Sequence, residues 1–368
     1  MTTLTSPHDL LAAVPFLIGY HPENSLVLVA LSDDAIGMAM RVDLPRDVAA
    51  ESFDLLASHF QRESADGAFL IAYAQSIDEA EPVIINTSAA LMRVGIAIRE
   101  TLVVSDGRYR SLMCTDSECC PPGGNLVPDI DSSRIAAEHV IAGHPMPFAS
   151  VAGLVQSIAA LPSSGDEEWL AQVAEFAVSP DDADLNQLQR DGATAVIDLA
   201  GEYQAGRGAE DRELVARVIG RLSDIQVRDF ALGSHNDETT NFYWAMWREL
   251  LLIAPAGYVA PIASIFAALA YERGEGALAH KALDRALVDD ERYSLALLLR
   301  RVFTAGWPPQ SFTAMRAELH PKVVAGISGK ICSGHEFSSI APADETATLH
   351  RGGVLRVTTR QRTFAASA

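Results

Sequence analysis

Three of the four cysteines crowd into one short segment, Cys114-x4-Cys119-Cys120, which runs directly into Pro121-Pro122-Gly123-Gly124. Thiolates are soft donors, and a loop interrupted by Pro and Gly can wrap a cation where a helix cannot. Structural zinc ordinarily takes four ligands, often as paired Cys-x2-Cys units, and that pairing is absent here. A fourth ligand would come from His139, His144, Cys332 or His335. A redox pair is the second chemistry open to the thiols. Cys114 with either neighbour is the easier bridge, because joining adjacent Cys119 and Cys120 strains the peptide geometry. The third reading, and the one taken, is inert packing of three buried thiols, with no bound metal expected and zinc as the alternative.

The turn Gly19-Tyr20-His21-Pro22-Glu23-Asn24-Ser25 is the other place where chemistry could sit. It would present Tyr20, His21, Glu23, Asn24 and Ser25 together at a sheet edge, with proton carriers and a hydroxyl nucleophile among them. No motif fixes a second His or acid beside them. The favoured reading is therefore structural: Gly19 supplies an unusual backbone conformation, Pro22 stiffens the bend, and Asn24 or Ser25 bonds local backbone. There is no Gly-rich Lys loop and no Gly-x-Gly-x-x-Gly after a strand, so nucleotide binding lacks its usual anchor. Phe242, Tyr243, Trp244 and Trp247 fall at helical spacing and read as core.

The elements that must carry these residues follow from hydrophobic pattern. Ser6-Pro7-His8-Asp9 opens a short helix that Pro15 ends or redirects. Ser25 to Leu31 and Gly37 to Leu44 are apolar strands joined through Ser32-Asp33-Asp34, a hairpin on which a sheet can grow. Asp47 is expected to cap a helix to about Arg62, with Val48, Phe53, Leu56 and Phe60 on one side. Ala68 to Ala74 suits a strand covered on both faces, a helix over about 78–94 closes at Gly95, and Ser105-Asp106-Gly107 turns between two further strands. The order predicts a mixed sheet, since helical crossovers demand parallel strands and the hairpins antiparallel ones. Cys114 to Pro128 is irregular, and Ser133 caps a helix over Arg134 to Ala142.

From Glu167 to Ala305 the spacing is helical throughout, in seven predicted segments separated by Gly, Pro or Asp. Within it, Ala260 to Tyr293 forms a weak 34-residue repeat that places Ala267, Ala279, Leu283 and Ala286 where a tetratricopeptide unit has its helix contacts. The expected architecture is an α/β domain over 1–160 with the cysteine loop 114–128, an all-α, tetratricopeptide-like domain over 161–311, and a flexible tail over 312–368.

Several stretches resemble an uncharacterised bacterial family, domain of unknown function 4192. They are Leu11 to Pro22 with Ser25-Leu26-Val27, Tyr109 to Cys114 with Cys119-Cys120-Pro121-Pro122, and Gly274 to Ala279 through Tyr293 to Ala296. The resemblance runs from about residue 4 to 310 and implies a soluble bacterial protein; it implies no mechanism.

The formal net charge of -20 repels phosphate backbones and anionic lipids, so neither nucleic acid nor membrane is an expected partner. No apolar stretch approaches the ~20 residues that span a bilayer, and Met1 to Asp9 has no leader features, so a cytoplasmic location is expected. The favoured function is non-enzymatic: a soluble binding or scaffold protein whose helical domain engages a protein or peptide, preferably a basic one. The alternative is an enzyme or metal/redox protein whose site joins the 19–25 turn to the cysteine loop 114–120.

Overall fold

The computed structural model describes residues 3–33, 35–44, 50–142, 145–328 and 356–357. Two units divide the chain between Leu154 and Val155, and the short strand near the C-terminus belongs to the first.

The first unit opens with β1 (Thr3–Leu4) and α1 (Pro7–Ile18). Ser6 Oγ accepts the Asp9 N–H, Pro7 takes the first turn and Asp9 faces the positive helix end. Pro15 does not end this helix. It removes one N–H and crowds the preceding turn, but Val14, Pro15 and Ile18 are buried, and packing carries α1 on to Gly19 at φ 86°. Next come β2 (Ser25–Ser32), β3 (Ala35–Asp43), α2 (Ala50–Arg62), β4 (Gly67–Tyr73), α3 (Ile77–Arg93), β5 (Ala97–Ser105) and β6 (Arg108–Ser111). Asp34, and the expected cap Asp47 with Val48, lie outside the described residues. Asp106 (φ 50°) and Gly107 (φ 68°) both occupy the left-handed region that a tight two-residue hairpin turn requires. The unit continues with β7 (Asn125–Leu126), α4 (Arg134–Ile141) capped by Ser133, and α5 (Val151–Gln156), which crosses into the second unit. The sheet is completed by β8 (Arg356–Val357).

The strands lie in the order β1-β8-β3-β2-β4-β5-β6-β7. β2 is antiparallel to both β3 and β4, while β4 and β5 are parallel across the α3 crossover, so the sheet is mixed as the element order predicts. β2 thus sits inside the sheet, between the two strands that α2 connects. Its Leu26, Leu28 and Ala30 join Phe53, Phe60, Leu70, Ile84 and Leu91 in one core cluster beneath α2 and α3. Val27, Val29 and Leu31 alternate to the other face and are also buried. α1 lies on that other face: Val103 points into the α2/α3 core, its neighbour Val104 pairs with Tyr109, and His8 of α1 meets the Tyr109 ring edge-on at 5.4 Å between centroids.

The second unit is helical. After a 3-10 turn at Pro162–Gly165 come α6 (Glu167–Ala174), α7 (Leu185–Gln204), α8 (Arg212–Arg221), α9 (Ile225–Gly233), α10 (Thr240–Ile253), α11 (Val259–Glu272), α12 (Gly276–Asp289), α13 (Ser294–Thr304) and α14 (Pro309–Ser328). The hub is α11, against which α9, α10, α12, α13 and α14 all pack, and its residues from Val259 to Tyr271 are all buried. Its N-terminus has no cap of its own. The Asp289 carboxylate, at the end of α12, accepts the N–H groups of Gly257 (2.7 Å), Val259 (3.0 Å) and Ala260 (3.0 Å) instead. Tyr243 and Trp247 are core residues, as their spacing predicts.

Residues 312–328 are not a flexible tail. They belong to α14, whose Phe312, Arg316 and Ile327 are buried. The remainder of the expected tail, except Arg356 and Val357, lies outside the described residues.

Candidate functional site

The cysteine loop hangs between β6 and β7, and its shape begins with Ser111. Ser111 Oγ donates to Glu100 Oε1 (2.7 Å) and accepts the N–H groups of Met113 (3.1 Å) and Cys114 (3.0 Å), which turns the chain as it leaves the strand. Asp116 turns it again: its side chain accepts the Glu118 N–H (2.8 Å) and its carbonyl the Cys120 N–H (2.7 Å). Asn125 Nδ2 then donates to the Cys119 carbonyl at 2.9 Å. Pro121 to Gly124 close the loop through a Gly124 N–H to Pro121 carbonyl bond of 2.8 Å. Gly124 is required there, because it sits at φ 72° and a Cβ would lie 3.0 Å from the Tyr109 carbonyl.

These turns bring the three sulfurs together. Sγ of Cys114, Cys119 and Cys120 all lie within 4.8 Å of one another, and all three thiols are free. The expectation of buried, inert thiols does not match their surroundings. Cys119 is exposed and Cys114 and Cys120 are half-buried, because a loop this short and this rich in turns has no apolar layer over it.

Burial, together with a hydrogen bond to Cys114, pushes the Cys120 thiol up to about 11, against a lowering contribution from the Ser111 backbone N–H. The hydrogen bond to Cys114, with burial, also raises the Cys119 thiol. A raised thiol carries less of the thiolate that thiol exchange requires. A cation among them would reverse that balance, since a coordinating thiol is deprotonated by the metal.

The other predicted donors are not in this group. Among the described residues the cluster holds the three cysteines alone. His139, on α4, lies against the Phe16 ring at 4.6 Å between centroids, while His144, Cys332 and His335 lie outside the described residues.

The 19–25 turn is built as a structural clip. Gly19 ends α1 at φ 86°; the Gly19 carbonyl accepts the Phe148 N–H (2.9 Å) and the His21 N–H reaches the Phe148 carbonyl (2.9 Å). Tyr20 is buried, Asn24 takes a left-handed φ of 44°, and its carbonyl accepts the Leu44 N–H at 3.0 Å. Glu23 is exposed, and its carbonyl accepts from Arg41 at 3.4 Å. Ser25 Oγ is fully buried, and among the described residues it has no hydrogen-bond partner that could act as a base.

The two places are separate. Ser25 pairs with Tyr73, Tyr73 with Val104 and Val104 with Tyr109, which puts three inter-strand steps, about 14 Å, between the turn and the strand that carries the thiol loop. Ser111, Glu100 and Asn125 are the residues that sequence reasoning overlooked. The signal was a Ser placed three residues before the first Cys, the spacing of a side-chain-capped turn.

Searches among curated proteins and among solved structures return no match. A family model described as a domain of unknown function, DUF4192, matches residues 7–310. That span takes in the clip, the thiol loop and the helical unit as far as the start of α14, and the chain belongs to this family.

Proposed function

We propose that the protein works by binding rather than by catalysis, as a cytoplasmic scaffold whose helical unit engages a basic protein or peptide. The observation that carries this reading is the start of that unit. Between residues 155 and 189 there is no Lys or Arg, while Asp166, Glu167, Glu168, Glu175, Asp181, Asp182 and Asp184 supply seven carboxylates. All but Asp182 are exposed, and Leu161 and Leu170, 45% and 40% exposed, stand among them. Arg212 reaches this stretch but lies over the Trp169 ring and donates to Gln172, so it leaves the carboxylates unneutralised. An acidic surface interleaved with apolar side chains suits a partner carrying Lys or Arg beside apolar anchors. The α11–α12 pair supports tetratricopeptide-like packing: Ala267, Ala279, Leu283 and Ala286 are fully buried, and the alanines let the two helices approach closely.

An array of synthetic peptides graded in charge tests this directly. Basic peptides with an apolar residue should bind, with affinity falling steeply between low and physiological salt. Replacing Glu167, Glu168 and Asp181 by Lys should abolish that preference. Binding that ignores peptide charge, or that survives the three replacements, would overturn the proposal.

A further inference from the structure

We infer that the loop between β6 and β7 is a binding site for a thiophilic divalent cation, zinc by its donor chemistry, held by Cys114, Cys119 and Cys120. This is independent of the partner-binding role of the helical unit.

The geometry of the sulfurs is the starting point. A tetrahedral zinc with Zn–S bonds of about 2.3 Å needs its sulfurs about 3.8 Å apart. The three Sγ atoms already lie within 4.8 Å of one another, so closing on a cation takes about an ångström of side-chain movement. The backbone that holds them is fixed by bonds that do not involve the sulfurs: Ser111 Oγ to the Met113 and Cys114 amides, Asp116 to the Glu118 and Cys120 amides, and Asn125 to the Cys119 carbonyl. A site whose ligands are set in advance loses less conformational freedom when the ion arrives.

The competing explanations fit less well. Core packing calls for burial, and Cys119 is exposed. A disulfide would use two of the sulfurs and leave the third without a role, and one of the three pairings joins neighbouring residues. Thiolate donors also decide the ion: soft sulfur selects zinc over magnesium or calcium.

Binding is a proton exchange with no change of oxidation state. Three S–H bonds break, three S–metal bonds form and three protons pass to solvent. Three thiolates around a divalent ion leave a net charge of −1, and the exposed side of the loop leaves the fourth position open to water or an exogenous ligand.

The test uses the full chain, reduced and stripped by a chelator, titrated with Zn2+ against a chromophoric competitor and in parallel with Co2+. One equivalent should bind, with release of protons, and Co2+ should give the sulfur-to-metal charge-transfer bands and intense visible bands of a tetrahedral thiolate site. Cys114→Ser, Cys119→Ser and Cys120→Ser should each weaken binding by more than the roughly 10- to 100-fold typical of losing a supporting group around a metal site. Cys119 is exposed, so Cys119→Ser serves as the variant whose fold is intact, checked by its far-ultraviolet circular dichroism and melting temperature. Absence of thiolate-to-cobalt bands, or zinc affinity unchanged in the three loop variants, would overturn the assignment.

Discussion

Arg316 and Glu272 form a two-pronged ion pair inside the helical unit, Nε to Oε1 at 2.6 Å and Nη2 to Oε2 at 3.1 Å. Their side chains are 6% and 7% exposed. The second carboxylate oxygen also meets His235 Nε2 at 2.9 Å, and Arg316 Nη1 donates to the carbonyls of Gly233 (3.2 Å) and His235 (3.0 Å). One guanidinium thereby fastens α14 to α11 and to the end of α9. Arg316→Ala would leave a buried carboxylate without its main partner and should cost about 3–5 kcal/mol. Lys322→Ala, which removes an exposed pair with Glu318 at 3.9 Å, should cost less than about 1 kcal/mol. Urea unfolding of both variants checks the contrast, and equal losses would contradict it.

Acid should loosen the protein before it reaches the carboxylate range. Burial holds the imidazoles of His59, His235, His280 and His320 below the ordinary 6.5. The unfolded chain then binds more protons than the folded one, so stability is full above that value and declines as the pH falls beneath it. Burial alone would raise Glu272, but hydrogen bonds from His235 and Arg316 outweigh it and hold the carboxyl below its usual range. That adds a second loss at lower pH. The melting temperature should therefore drop steadily between about pH 7 and pH 5. A flat or rising profile would show that these histidines are not held neutral.

Two glycines in helices should respond in opposite directions to the same change. In α8, a Cβ on Gly220 would stand 2.5 Å from the Val173 carbonyl and 2.7 Å from Phe176 Cβ, so α6 cannot yield without moving its backbone. Overpacking of about 1–3 kcal/mol or more exceeds the ~1 kcal/mol gained in helix propensity, and Gly220→Ala should destabilise. Gly201, in α7, has nothing within 4 Å of that position. Gly201→Ala should stabilise by about 0.5–1 kcal/mol. Thermal melts of the two variants should move apart.

Ser111 should matter to the thiol loop without itself being a ligand. Ser111→Ala removes the acceptor for two loop amides and the donor to Glu100. Zinc affinity should fall by about 10- to 100-fold. Cys119→Ser, at an exposed position, should change stability by no more than about 0.5 kcal/mol. Competition titration and thermal melting separate the two effects.

Where the sequence carries a strong local signal, the structure follows it. The caps Ser6 and Ser133, the Asp106-Gly107 turn and the continuous apolar run of β2 each rest on local residue preferences that nothing distant overrides. The misses have a common cause, which is tertiary packing. Pro15 stays helical because its neighbours are buried, and α9 escapes notice because IQVRDFALG is short and buries Arg228 along with Val227. Residues 312–328 look tail-like until Arg316 finds Glu272, forty-four residues earlier in the chain. The thiol loop was legible as a cluster of donors but not as a convergence. The convergence depends on Ser111, Asp116 and Asn125, whose bonds to the loop only a folded chain reveals.

Thr3 lies beside Arg356, and Arg356 in turn faces Ala35, so the sheet recruits its eighth strand from far beyond the helical unit. A truncation designed on the family boundary at residue 310 would discard that strand and most of α14 together. It would uncover the edges of β1 and β3 and the faces of α9 and α11 that α14 covers, and would take Arg316 away from Glu272. Such a fragment should express poorly and self-associate through the exposed strand edges.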